Sequence, residues 1–183
     1  MRAPRVKNDC ITVYSNAIDQ GHWIELLERI HLECYQFTHV DYRPHLTMEI
    51  PFLHNRSDSY AGIELRSMFQ SLLNDSLHDY MRSNNVLRME PLKSTLTASK
   101  LLEGQDMFVH RDTPMLESDS FIAQLYINDD YEGGELFFPD HEYIYKPVAG
   151  DLAYYRMADS HGVRKLINGV RYTIGYSLQG PFS

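Results

Sequence analysis

The sequence predicts a mainly β protein with N-terminal helices: a double-stranded β-helix, or jelly roll, with two helices packed on one sheet. Three observations carry that expectation. Two segments before residue 86 repeat apolar residues at three and four. The chain then breaks into short runs rich in Tyr, Phe, Ile and Thr, separated by turn residues. The last run alternates small or polar residues with large apolar ones. With 183 residues, 43% of them apolar and 23% charged, the chain is read as one domain able to bury a core without staples. Residues 1–85 supply helical support and residues 86–180 the β core.

In chain order, residues 11–14 ("ITVY") read as a strand. From about 19 to 37, Trp23, Leu26, Leu27, Ile30, Cys34 and Phe37 form the stripe of an amphipathic helix. A second helix fits about 59–82, through Ile63, Leu65, Met68, Phe69, Leu72, Leu73, Leu77 and Tyr80, with Asp58 or Ser59 as its cap. Residues 38–58, with Pro44 and Pro51, are expected to be irregular. The strand-like runs "LKSTLTAS", "FIAQLYI", "ELFF", "YIYKPV", "DLAYY" and "VRYTIGYSL" follow. Strands at that spacing make a sandwich, a barrel or a jelly roll.

Composition narrows the partners. The net charge of -8 argues against nucleic acid, which needs a basic face; a basic peptide or a small molecule is easier to hold. No signal-like or membrane-spanning apolar run occurs, since a span needs about 18 such residues, so a cytoplasmic protein is expected. Cys10 and Cys34 are too few for a disulfide framework or a thiolate zinc site.

Two His-x-Asp pairs stand out, His39 with Asp41 and His110 with Asp112. With 9 histidines in the chain the spacing alone means little. In a strand, however, residues i and i+2 point to one side, so His110 and Asp112 can aim at one point. His161, 49 residues beyond Asp112, offers a third ligand. Two histidines and one carboxylate with open positions suit non-haem iron(II) oxygenases. The pair at 39 and 41 has no comparable third partner and is read as coincidence.

Arg171, ten residues after His161, is a bidentate cation suited to the far carboxylate of a dicarboxylate cosubstrate. If Asn168 and Gly169 closed a simple hairpin, Arg171 and His161 would face opposite sides. Divergence of the two strands into opposed sheets, or a bulge, removes that conflict, and so favours a double-sheet fold over a meander. Along the last strand, Arg171, Thr173, Gly175 and Ser177 share the face a pocket would use. Val170, Tyr172, Ile174, Tyr176 and Leu178 share the face that would pack on helices.

Residues 104–178 resemble the prolyl 4-hydroxylase-like branch of the iron(II) and 2-oxoglutarate-dependent dioxygenases. The resemblance is carried by "EGQDMFVHRD", "QLYINDDYEGGELFF", "KPVAGDLAYY" and "HGVRKLINGVRYTIGYSL", which contain that family's blocks in order. It implies that His110, Asp112 and His161 bind Fe(II), and that Arg171 pairs with the distal carboxylate of 2-oxoglutarate. Tyr126 would help hold that carboxylate, with Thr173 adding a hydroxyl on the same face. Gly133 and Gly134 would let the chain fold over the site. The activity implied is hydroxylation of an unactivated C–H bond by O2, with release of succinate and CO2 and with ascorbate as a reductant. The substrate implied is a prolyl residue of a peptide or protein; the alternatives are a free amino acid or other small molecule, or a non-catalytic binding module. Two positions depart from the pattern: Leu101 replaces a common tyrosine, and Ser177 or a neighbour replaces a common tryptophan. Asp112 is intact, which disfavours a halogenase.

Overall fold

The computed structural model describes residues 3–39, 45–51, 59–92, 95–112 and 120–180. Strands β1 (Val6–Lys7) and β2 (Thr12–Ser15) pair with each other before helix α1 (Gln20–Glu33). The Asp19 side chain caps α1 by accepting the His22 amide N–H at 3.2 Å, and Trp23, Leu26, Leu27 and Ile30 form its buried face. The helix ends four residues before Phe37, which the periodicity had placed within it. Phe37 reaches the core instead on the returning chain, where its N–H donates to His31 Nδ1 at 3.0 Å. A residue that folds back can mimic one more helical turn in a sequence pattern.

The segment expected to be irregular contains two strands, β3 (Thr38–His39) and β4 (Leu46–Pro51). Met48 and Ile50 of β4 are buried. Its partner is a strand some fifty residues away in sequence, so nothing local announces the pairing. His39 lies exposed on β3, while Asp41 and Asp58 fall outside the described residues.

Helix α2 (Tyr60–Ser83) is capped by Ser59, whose hydroxyl accepts the Gly62 N–H at 3.2 Å. It buries Ala61, Leu65, Phe69, Leu73 and Tyr80. Ile63, placed on the stripe by its spacing, is exposed. There follow β5 (Glu90–Pro91), β6 (Thr95–Leu102), β7 (Met107–His110), β8 (Ser120–Tyr126), β9 (Glu132–Gly133), β10 (Leu136–Phe138), β11 (Tyr143–Tyr145), β12 (Asp151–Arg156), β13 (His161–Val163), β14 (Leu166–Asn168) and β15 (Val170–Gln179).

Among the described residues these strands form a nine-stranded sheet ordered β1-β2-β12-β8-β15-β6-β4-β3, with β5 also on β15. A second sheet is ordered β11-β10-β13-β7, and β14 pairs with β9. One face of the large sheet packs on α1 and α2 through Tyr172, Ile174, Tyr176 and Leu178. Each such side chain contributes about 1.5–3 kcal/mol when fully buried. The other face meets the four-stranded sheet through Ile122, Tyr126, Leu136, Phe138, Tyr155 and Val163. The strands flanking Asn168 and Gly169 therefore join different sheets, β14 to β9 and β15 to β6 and β8. This is how His161 and Arg171 escape the parity conflict of a hairpin. No described helix is long and apolar enough to cross a membrane.

A buried carboxylate ties the N-terminal arm to this framework. Asp151 accepts hydrogen bonds from Arg5, Tyr145, Ser15 Oγ (2.8 Å) and the Val148 N–H (2.9 Å). Four donors around one carboxylate satisfy it without exposure to water.

Candidate active site

His110 and His161 stand directly opposite each other on the antiparallel strands β7 and β13. That register brings their rings to a centroid distance of 4.6 Å. Asp112 does not continue β7, as the i, i+2 argument assumed: the strand stops at His110. Its N–H instead donates to the Met157 carbonyl at 3.1 Å, which anchors the chain just past the strand. The Asp112 Oδ1 and Oδ2 atoms lie 3.4 Å from His110 Nε2 and His161 Nε2 respectively. Among the described residues this trio is the cluster able to hold a metal, with one donor atom from each side chain all within 4.8 Å of one another.

The orientation of both rings is set locally. His110 Nδ1 sits 2.9 Å from the Phe108 carbonyl, and His161 Nδ1 sits 2.9 Å from the Asp159 carbonyl. A carbonyl can only accept, so each Nδ1 carries the proton and each Nε2 presents a lone pair to the common point. Burial pushes the Asp112 carboxyl upward, but the Nε2–H groups that His110 and His161 carry when they are protonated donate to it, outweigh burial and hold the group well below the usual carboxylate range. Two neutral imidazoles and one carboxylate form a donor set that fits a divalent first-row metal with open positions.

The trio lies on a cavity of about 580 Å³ walled by both sheets. Arg171, Thr173, Gly175 and Ser177 all line it, as the alternation of the last strand predicts. Arg171 is buried, and its Nε meets no hydrogen-bond partner. Its guanidinium carbon lies 5.1 Å from the centre of the Tyr126 ring. Thr173 is flanked in register by Tyr126 on β8 and Ser99 on β6, so Tyr126, Thr173 and Ser99 form one row beside Arg171. The Tyr126 hydroxyl is buried without a partner; burial pushes it up, and the charge on Arg171 opposes that. Leu101 is directly opposite Arg171 on β6 and offers only apolar surface there. A buried cation and an orphaned phenol on one wall fit an anion, and the metal-type donors occupy the other wall.

Gly133 and Gly134 both have positive φ, 77° and 67°, which glycine adopts freely. A Cβ on Gly133 would fall 2.2 Å from the Lys165 carbonyl oxygen, so the backbones touch there.

Sequence reasoning missed two residues. Gln124 faces the cavity beside Gly175, as a Cβ built on Gly175 would lie 3.1 Å from Gln124 Oε1. Tyr131 is buried next to Arg171. Both fall inside the block "QLYINDDYEGGELFF", but Gln124 sits in an ordinary strand and Tyr131 in a turn, and the pattern gives neither of them a role. From sequence, Thr113 to Ser120, just past Asp112, is a candidate substrate-facing loop; all of it but Ser120 lies outside the described residues.

No family model and no curated protein matches the sequence. Solved structures do match in shape. A viral collagen prolyl hydroxylase from Paramecium bursaria Chlorella virus-1, in its 2-oxoglutarate complex, superposes with a TM-score of 0.63 at 11% identity, covering 96% of this chain and 98% of that one. A prolyl hydroxylase from Trichoplax adhaerens in complex with a hypoxia inducible factor peptide gives 0.65 at 14%, covering 94% and 84%. HygX from Streptomyces hygroscopicus, with nickel, 2-oxoglutarate and hygromycin B bound, gives 0.59 at 13%, covering 94% and 83%. At such identities the likeness establishes architecture: the chain is folded like the prolyl hydroxylases and other 2-oxoglutarate, iron(II) oxygenases.

Proposed function

We propose that the protein is an iron(II)- and 2-oxoglutarate-dependent dioxygenase that hydroxylates an unactivated C–H bond, with a prolyl residue of a peptide or protein as the first reading of its substrate. The carrying observation is the union, in one cavity, of the His110, Asp112 and His161 donors with the buried Arg171, whose Nε has no hydrogen-bond partner. We read the two facing sheets as the double-stranded β-helix of a single catalytic domain. A cytoplasmic setting, where two unpaired cysteines stay reduced, belongs to the same reading.

Bound iron would supply the oxygen chemistry that couples decarboxylation of 2-oxoglutarate, to succinate and CO2, with hydroxylation. The chain's own contribution is placement. His110 and His161 present Nε2 lone pairs because backbone carbonyls hold their Nδ1 protons. Asp112 stays ionised and so balances part of the metal's charge. Arg171 and Tyr126 hold the distal carboxylate of the cosubstrate, and Leu101, Leu136 and Val163 keep that end of the cavity apolar.

A second reading, a small polar substrate, rests on polar side chains that line the cavity. Ser99, Gln124 and Ser177 line it around the bare backbone of Gly175. A prolyl ring has no use for such hydrogen-bonding groups, whereas a hydroxyl- or amide-bearing small molecule does. The test is succinate formation by anaerobically iron-loaded protein on admission of air, run with a proline-rich peptide panel and with a panel of polar small molecules. Stimulation by a peptide supports the first reading, and stimulation by a small molecule the second. Protein that binds neither iron nor 2-oxoglutarate would sink both and leave a binding module on the same fold.

A further inference from the structure

We infer that Tyr131 supplies a second phenolic donor to the distal carboxylate of 2-oxoglutarate, forming with Tyr126 and Arg171 an anion cradle in which Leu101 takes no part. The inference rests on the proposed oxygenase function and gives a binding role to a residue to which the sequence pattern assigned none.

The first ground is an accumulation of unanswered donors. Tyr126 Oη, Tyr131 Oη and Arg171 Nε are all buried and none makes a well-formed hydrogen bond, although the Arg171 guanidinium lies close enough to act on both hydroxyls, whose own protons are left without an acceptor. Buried polar groups in native proteins are satisfied as a rule, so three orphans in one neighbourhood call for one explanation. All three can donate, and the guanidinium cannot accept. What they lack is a shared acceptor bearing negative charge, and a carboxylate with two oxygens answers all of them.

The second ground is position. Gly134 separates Tyr131 from Arg171: a Cβ placed there would lie 3.3 Å from Tyr131 Cε2 and 3.2 Å from Arg171 Cδ. The two side chains therefore flank one point that carries no side chain of its own. Tyr126 approaches Arg171 from strand β8, with its ring 5.1 Å from the guanidinium carbon. Tyr131 follows that strand in the turn leading to β9. Across the sheet, Leu101 faces Arg171 in register and brings no hydroxyl.

The third ground is electrostatic. Burial pushes the Tyr131 hydroxyl upward, and Arg171 opposes this, so the two groups share one field. A phenol with a raised pKa keeps its proton and remains a donor.

The test is calorimetric titration of Mn(II)-loaded protein with 2-oxoglutarate and with 2-oxobutyrate, a keto acid that lacks the distal carboxylate. Tyr131→Phe keeps the ring and its packing, and removes only the hydroxyl. It should weaken 2-oxoglutarate by about tenfold or more, the loss typical of one hydrogen bond to a charged group, and leave 2-oxobutyrate within about twofold. Tyr126→Phe, titrated in parallel, should show the same selectivity for the dicarboxylate. Unchanged 2-oxoglutarate affinity in Tyr131→Phe would overturn the inference, as would an equal loss for both ligands, which marks a purely structural ring. Parent protein that fails to bind 2-oxoglutarate would overturn the oxygenase reading itself, and the cradle with it.

Discussion

Replacing Arg171 by methionine should make the ligand-free protein more stable while removing its response to 2-oxoglutarate. Arg171 is only 6% exposed, its Nε is unsatisfied, and no carboxylate among the described residues pairs with it. A buried ion without a partner bears a desolvation penalty of several kcal/mol. The Tyr126 ring at 5.1 Å returns about 1–2 kcal/mol of that, and contact with the cavity returns more. Methionine fills much of the same volume without a charge, so the net gain should be about 1–3 kcal/mol, or about 2–12 °C in melting temperature for a chain of this size. In the parent, metal with 2-oxoglutarate at about 100 times its dissociation constant should add about 2.7 kcal/mol, and in the variant almost nothing. Urea unfolding with and without ligand measures both effects, and the parent should gain on the variant by about 2.7 kcal/mol when 2-oxoglutarate is added. A variant less stable than the parent without ligand, or one equally stabilised by 2-oxoglutarate, would refute the view of Arg171 as a charge held in waiting for an anion.

Other consequences concern the metal donors, the buried carboxylate and a helix-to-sheet ion pair. His110→Ala should lower bound Fe(II) or Mn(II) at least tenfold by metal analysis, and the parent's metal should be released on acidification because binding needs neutral imidazoles; Asp112, held low, stays ionised meanwhile. Asp151→Ala, which removes the acceptor of the buried Tyr145 hydroxyl and of the more exposed Ser15 and Val148 N–H, should cost about 1–3 kcal/mol in urea unfolding, the penalty of one unsatisfied buried group. Burial raises Glu28, but hydrogen bonds from Lys100 (2.7 Å) and the Tyr172 hydroxyl (2.7 Å) leave it below its ordinary 4.5. Its folded-state value is depressed, so its contribution is full above 4.5 and fades as pH falls through the lower value. Glu28→Gln should therefore flatten the acid limb of stability against pH, and an unchanged limb would contradict the assignment.

The donors His110, Asp112 and His161 and the cation Arg171 were legible in the sequence because each sits in a short block whose residue order carries its chemistry. The alternation from Val170 to Leu178 was legible for a similar reason: a strand's period of two sorts its own side chains between cavity and core. The sequence by itself thus determined most of the elements, the faces of the last strand and the candidate side chains that the structure gathers on one cavity. It did not reveal β4, whose partner β6 lies far along the chain, nor that Phe37 folds back beyond the end of α1. It placed Asp112 in a strand, whereas a backbone bond to Met157 positions it past the strand end. Tertiary structure alone decided that His110 faces His161 across two strands, that Gln124 stands over Gly175, and that Tyr131 shares a buried corner with Arg171. These are contacts between residues distant along the chain or set by register. Local sequence encodes propensity and period, but not which strand will lie beside which.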